Sequence, residues 1–459
     1  MALKLESNFV LDETRLGDRY ESLVAEYRRR TPLSKALHER ARGVLPGGDT
    51  RTIAFHPPYP LAIDRGEGCH IWDLDGARYI DLLNNYTSLI HGHAHPGIVE
   101  AVTRRLGRGT AFAAAGAEQY QLARMLTERV AALDLVRFCN SGTEATMHAA
   151  RAARAFTGRE LLVKMEGGYH GSYDDFEVSV HPSERNAGEA SSPRPSLDAA
   201  GVPANTTRNV CVMPFNDQEA AKMLFAARGD DIAAVIIEPV MGASGMIPAD
   251  DAFLSQLRKL TEAHGALLIF DEVMTFRLAP GGYQGEVGIA PDLTTFAKII
   301  GGGFPVGAFG GRAAIMEQYD PSAPTPMWQS GTFNGNAVTM AAGIAALDAF
   351  PAAEVAHINA LGARLRAGLE RLLERQRLVA TVTGFGSFAA IHFSAGPIRN
   401  YRDTVRGSLS LRRALHVALL VEGVFCAPRL MFCTSTPMNE SVIDESLQRI
   451  ERAIERLVN

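Results

Sequence analysis

Two unbroken apolar runs constrain this chain more than anything else in it: Ala233-Ala234-Val235-Ile236-Ile237 and Ala266-Leu267-Leu268-Ile269-Phe270. A strand with one wetted face alternates apolar and polar residues. A run without a polar member has both faces covered. Leu161–Met165 and Leu293–Ala297 read as further strands, and Leu135–Cys139 as another, apolar except for Arg137. Helical stretches separate them, notably the alanine-rich ATMHAARAARAFTG ending at Gly158 and a segment over 252–265. This alternation predicts an α/β fold: a mostly parallel sheet with helices on both faces. The runs end in polar residues, Asn140, Asp271 and Lys298. Open sheets of this kind bind ligands at that edge.

At 459 residues the chain exceeds one ordinary core. We expect an N-terminal segment, 1–75, joining a small domain; a large domain, 76–345; and a C-terminal small domain, 346–459. The N-terminal segment shows helical periodicity over 16–43, with Tyr20, Leu23, Val24 and Tyr27 on one face. A strand meander over 61–83 turns at Asp75-Gly76. From about Pro351 the chain reads as an α+β lobe: helix 352–376, strands near 379–383 and 387–393, helices 408–422 and 440–457. There is no internal repeat.

The net charge of −5 is spread with mixed signs and forms no basic stripe, so neither nucleic acid nor membrane is expected as a partner. No apolar run is long enough to span a bilayer, and the first twenty residues lack the apolar core of a signal peptide. The five scattered cysteines read as reduced thiols, which suits a cytoplasmic protein. His91, His93 and His95 alternate, but no carboxylate or cysteine stands at ligand spacing and Pro96 opens a helix, so no metal is expected.

Three stretches carry chemistry. Ser141 followed by Glu144 forms a capping box at a strand-to-helix turn, where free N–H groups, hydroxyls and the positive helix end suit a phosphate. In Gly167-Gly168-Tyr169-His170-Gly171, glycines flank an aromatic that can lie flat on a planar group. Residues 181–209, rich in Pro, Ser, Ala and Asn, read as a mobile surface excursion. Lys298 follows a strand and precedes Gly301-Gly302-Gly303; an amine partly desolvated there becomes a nucleophile toward a carbonyl. A lone lysine beside glycines is more often a solvated charge, and so is a loop arginine such as Arg51.

The chain resembles the class III aminotransferases of fold type I, which use pyridoxal 5′-phosphate and include glutamate-1-semialdehyde aminomutase. The resemblance covers about residues 35–457. It rests on SGTEA at 141–145, GGYHG at 167–171, EP at 238–239, DEV at 271–273, the lysine before GGGFPVG, and GTFNGN at 331–336, in the family's order. The interval from Asp271 to Lys298, 298 − 271 = 27 residues, also matches. The resemblance implies a large domain around a seven-stranded sheet and a smaller α+β domain built from both chain ends. It implies a Schiff base between the cofactor and Lys298, which then shuttles a proton. Asp271 pairs with the pyridinium nitrogen. Tyr169 and Val273 cover the two ring faces, Ser141, Gly142 and Thr143 hold the phosphate, and His170 and Glu238 line the cofactor site. A threonine matching Thr332 completes the phosphate site from a partner subunit, which implies a homodimer with shared active sites.

Within that family the chain looks most like the β-amino acid aminotransferases of the β-phenylalanine type. PGGDTR at 46–51, PPYPL at 57–61, GASG at 242–245, DEVMTFRLAP at 271–280 and APR at 427–429 carry the likeness. Arg51 and Arg429 then match two carboxylate-binding arginines, one for the amino donor and one for the keto acid acceptor, 2-oxoglutarate or pyruvate. Met241 departs from the glutamine common in relatives. The alternatives are glutamate-1-semialdehyde 2,1-aminomutase, against which Arg429 counts, and an ω-amine transaminase. A nucleotide-binding oxidoreductase is disfavoured, because no G-x-G-x-x-G sits between a strand and a helix.

Overall fold

The computed structural model describes residues 13–458; the first twelve residues, part of the stretch read for a signal peptide, lie outside it. The chain falls into two compact units. Among the described residues, one comprises 13–95, His357–Ile398 and 402–458; the other comprises Pro96–Ala356 and Arg399–Tyr401. The boundaries expected at 76 and 346 lie short of these. The strand Arg78–Asp81 pairs in parallel with Val424–Phe425, and this pairing ties residues 76–95 to the first unit.

The second unit is built on seven strands: β1 (Leu135–Cys139), β2 (Leu161–Met165), β3 (Val210–Met213), β4 (Ile232–Ile237), β5 (Leu267–Asp271), β6 (Leu293–Ala297) and β7 (Gly307–Gly311). Their order across the sheet is β1-β7-β6-β5-β4-β2-β3. Only β7 runs antiparallel to its neighbours, β6 and β1. The sheet is therefore mostly parallel, and the fold class is α/β as expected. Every residue of β4, β5 and β6 is buried, which is what the unbroken apolar runs require. The helix Gly142–Thr157 presents Ala145, Ala149, Ala152 and Ala153 to this core, all fully buried. Alanines give no side-chain bulk, so the helix axis approaches the sheet closely.

Two strands, β3 and β7, go beyond the sequence reading. So does the order within 181–209. That stretch contains a helical turn, Glu184–Ala187, and a strand pair, Gly188–Glu189 with Ser192–Pro193. It is pinned by Ser179 N–H donating to the Ser196 carbonyl at 2.8 Å and by Ser196 N–H donating to Ser179 Oγ at 2.9 Å. Leu197 packs against Val178, Val210 and Val212. Satisfied backbone groups and an apolar anchor hold it, so the reading of a mobile excursion is corrected.

In the first unit the expected single N-terminal helix is two, Glu13–Arg30 and Pro32–Ala41. Pro32 has no N–H to donate and disfavours helical backbone in Thr31 before it. Strands Ile63–Glu67, His70–Asp73 and Arg78–Asp81 form the meander. A second sheet joins Thr381–Thr383, Phe388–His392 and Met431–Cys433. Leu365, Leu369, Leu415, Leu419, Ile450 and Ile454 centre the core with no exposed surface. Each contributes about 1.5–3 kcal/mol by leaving water. The alternating histidines have partners in this unit: His93 Nε2 lies 2.7 Å from Asp81 Oδ2, so a carboxylate does stand beside them, and His91 Nδ1 lies 3.0 Å from Thr436 Oγ1. Among the described residues no single helix is long and apolar enough to cross a membrane.

Candidate active site

Because β7 is antiparallel to both its neighbours, β1 points the same way as the five parallel strands. The carboxyl ends of six strands therefore share one edge. Asp271 is the last residue of β5, Lys298 follows β6, Glu238 follows β4, Ser141–Thr143 follow β1, and Tyr169 and His170 follow β2. Neighbouring strands set the separation: Asp271 stands opposite Thr295, three residues before Lys298.

Asp271 is 4% exposed. Its Oδ2 lies 2.8 Å from His170 Nδ1, and its Oδ1 accepts from Val273 N–H and the Thr295 hydroxyl, each at 3.1 Å. Burial pushes the His170 pKa down against the opposing pull of Asp271, so the ring is neutral at pH 7, with its proton on Nδ1 toward the carboxylate. Glu238 is also buried. Its Oε1 accepts from Tyr169 N–H at 2.9 Å and its Oε2 from Gly242 N–H at 3.0 Å. Burial, and then the charge of Asp271, push its pKa up to about 7, with Lys298 among the opposing influences. Lys298 itself is half-buried and takes the left-handed conformation, φ +53°. Such backbone costs a non-glycine residue about 1–2 kcal/mol. The buried Met241 lies in a short strand pair with Ile247 rather than in a polar setting.

The turn after β1 forms a cradle. Ser141 Oγ accepts from Glu144 N–H at 3.1 Å, while Glu144 reaches back to Asn140 N–H at 2.5 Å, one residue before the cap. The N–H groups of Gly142 and Thr143 belong to the helix's first turn, which has no intrahelical acceptors. A Cβ on Gly142 would come within 3.3 Å of Val273 Cγ2 and 3.6 Å of Ala297 Cβ, so the cradle, Val273 and the strand before Lys298 converge. The glycine-aromatic turn joins them. Gly171 has φ +88° and a Cβ there would fall 2.4 Å from Thr143 Oγ1. Thr146 donates to the His170 carbonyl at 2.6 Å. Tyr169 is 44% exposed beside this group. Thr332 is exposed, in a stretch tied to the end of β1: Gln329 donates to the Phe138 carbonyl and Asn140 donates to Asn334 Oδ1.

Arg51 and Arg429 belong to the other unit. Arg51 Nη1 donates to Asn85 Oδ1 at 2.9 Å, and the Tyr86 hydroxyl donates to the Ile53 carbonyl at 2.9 Å. Burial raises the Tyr86 pKa, and the Arg51 and Arg429 guanidiniums oppose that rise, so both positive charges lie within electrostatic reach of one phenol. Asn84, Asn85, Tyr86 and Thr87 all have positive φ, between 49° and 72°. This left-handed turn carries two residues beside Arg51 that the sequence reading did not single out, Asn85 and Tyr86. Thr295, beside Asp271, is a third that it did not single out. The Asn-Asn pair was the only signal for the turn, since Asn tolerates that conformation better than most residues.

The chain matches the aminotransferase class-III family over residues 54–454. It is 41% identical over 429 residues to a glutamate-1-semialdehyde 2,1-aminomutase of Methanothermobacter thermautotrophicus, covering 93% of this chain and 100% of that protein. Among solved structures it is similar to an omega-transaminase from Sphaerobacter thermophilus, with TM-score 0.90 and 44% identity over 93% of this chain and 98% of the other. It is similar also to a β-phenylalanine aminotransferase from Variovorax paradoxus, with TM-score 0.87 and 37% identity over 96% and 97%. The chain belongs to the class III aminotransferases, enzymes that transfer amino groups with pyridoxal 5′-phosphate as cofactor.

Proposed function

We propose that this enzyme transfers the amino group of a β-amino acid, of the β-phenylalanine type, to 2-oxoglutarate or pyruvate. The observation that carries the reading is that Arg51 and Arg429 both act electrostatically on Tyr86, whose hydroxyl holds the Ile53 carbonyl beside Arg51. A β-amino acid holds its amine one carbon further from the carboxylate than an α-amino acid does. One fixed cation cannot present both substrates' reacting carbons to the same lysine. Two cations in different positions can, and planar bidentate guanidiniums suit both carboxylates.

The residues at the sheet edge fit the cofactor. Gly142 leaves open the space a side chain would fill against Val273, beside first-turn N–H groups and the hydroxyls of Ser141 and Thr143, a donor set matched to a phosphate dianion. Asp271 is a buried carboxylate held on both oxygens by donors, a site for a protonated ring nitrogen. When bound, pyridoxal phosphate supplies an electron sink for the substrate carbon. Lys298 would hold the cofactor covalently and move the proton at that carbon. Asp271 would keep the ring nitrogen charged, with His170 orienting its carboxylate; Tyr169 and Val273 would cover the ring, and Glu238 fixes the Tyr169 backbone. The second unit is the cofactor-binding domain. Trp328, Phe333 and Phe112, 87%, 60% and 55% exposed, are apolar side chains that a second copy would cover in a cytoplasmic homodimer, which would bring Thr332 to the partner's phosphate site.

The 41% identity to an aminomutase favours a second reading, intramolecular transfer on glutamate-1-semialdehyde; the omega-transaminase likeness favours a third, a broader amine donor range. Truncating each arginine to alanine and following the two half-reactions separately by cofactor absorbance tests the proposal. Arg51→Ala should chiefly impair amine donation and Arg429→Ala chiefly acceptance by the keto acid, each by about 2–3 kcal/mol. If Arg429→Ala leaves both half-reactions intact, the two-cation reading is wrong.

A further inference from the structure

We infer that Asn85 is the positioning residue for Arg51: its amide oxygen aims the guanidinium while leaving the positive charge uncompensated for a substrate carboxylate. The inference deepens the proposal above and rests on its assignment of Arg51 to the donor carboxylate.

Arg51 is exposed, and among the described residues no carboxylate pairs with its guanidinium; its side-chain hydrogen bond runs to Asn85 Oδ1 at 2.9 Å. The nearby acid, Asp49, spends Oδ1 on the N–H groups of Thr50, at 2.6 Å, and of Arg51, at 3.2 Å. A carboxylate in place of the amide would orient the guanidinium equally well but cancel most of its charge. An amide oxygen is an acceptor without charge, so it gives direction and leaves the field.

The Asn85 amide is itself fixed. Its Nδ2 donates to Ser88 Oγ at 3.0 Å, and the Ser88 hydroxyl donates to the Asn85 carbonyl at 2.9 Å. An arginine can only donate, so the oxygen must face Arg51 and the nitrogen must face Ser88.

The left-handed turn delivers this side chain. Asp81 Oδ1 accepts from the N–H groups of Leu83 and Asn84, at 2.8 and 2.9 Å, and Asn84 Nδ2 donates to the Cys433 carbonyl at 3.0 Å. These bonds over-determine a backbone that four successive side-chain-bearing residues would otherwise avoid. Asn85 and Tyr86, consecutive in it, then grip the Arg51–Ile53 segment at two points, one on the guanidinium and one on the Ile53 carbonyl.

The test uses the holoenzyme and Asn85→Asp, which keeps shape and adds one charge. Expected is a rise of about tenfold in KM for β-phenylalanine at pH 7.5, with kcat within about twofold, and no change in the amine half-reaction with 1-phenylethylamine, which has no carboxylate. Asn85→Ala, which frees the guanidinium without cancelling it, should raise the same KM less. Arg51→Ala is run beside them. If Arg51→Ala raises the KM and Asn85→Asp does not, the inference about Asn85 is overturned and the role of Arg51 stands. If Arg51→Ala leaves the KM unchanged, both fall. Should Asn85→Asp not fold, an unchanged KM in Asn85→Ala overturns the inference.

Discussion

His170 Nδ1 stands 2.8 Å from Asp271 Oδ2, and both side chains are buried. The pair joins the turn after β2 to the end of β5, across the intervening β4. Burial keeps the imidazole neutral, so the contact is a hydrogen bond that orients the carboxylate without cancelling its charge. The carboxylate charge is thereby kept for a group arriving from the open edge.

Replacing that charge isolates its role. Asp271→Asn should keep the fold, because β5 stays buried and the amide can still accept from Thr295. Loss of an ion pair of about 3 kcal/mol to the ring nitrogen should slow turnover roughly 100-fold. Steady-state kinetics with cofactor saturation checked by absorbance decides it; near-normal turnover contradicts the role.

Lys298 should carry the cofactor. Borohydride reduction of the holoenzyme, followed by peptide mapping, is expected to find the pyridoxyl group on Lys298. Lys164, fully buried and bonded to the Phe176 and Val178 carbonyls, is the instructive control: its pKa is lowered by burial to about 7, yet its amine faces the protein interior. Label on Lys164, or none, would refute the assignment.

A pH effect on stability follows from a buried histidine pair in the first unit. The His56 and His416 rings pack edge-on with centroids 4.7 Å apart. Burial pushes the His56 pKa down to about 4 and lowers that of His416 well below the usual range. The unfolded chain takes up these protons near pH 6.5, the folded chain at lower pH. The stability tied to His56 is thus complete above pH 6.5 and lost as pH falls toward 4. In urea melts between pH 6.5 and 4.5, His56→Phe should lose about 2 kcal/mol less than the parent. Parallel curves for the two proteins would contradict this.

What the sequence revealed divides along physical lines. β4 and β5 were legible because both faces are covered and composition records that directly. β7 was not. Its sequence, Gly-Ala-Phe-Gly-Gly, lacks β-branched residues because neighbours leave no room for them: a Cβ on Gly307 would fall 2.0 Å from the Ser141 carbonyl oxygen, and one on Gly310 2.3 Å from that of Leu135. Those contacts let β7 lie close against the Ser141 turn and β1, so the feature that hid the strand also positions that turn. Lys298, Asp271 and the Ser141 cradle sit in motifs where local spacing sets position. Asn85, Tyr86 and Thr295 reach their places through a left-handed turn and a strand register, and neither leaves a mark in local spacing.

Product analysis tests the central claim most directly. The holoenzyme is incubated with β-phenylalanine and 2-oxoglutarate, or pyruvate, and separately with glutamate-1-semialdehyde. Transfer from a β-amino acid predicts glutamate, or alanine, in step with loss of β-phenylalanine, and no turnover of the semialdehyde. Conversion of glutamate-1-semialdehyde to 5-aminolevulinate, with β-phenylalanine untouched, would contradict it.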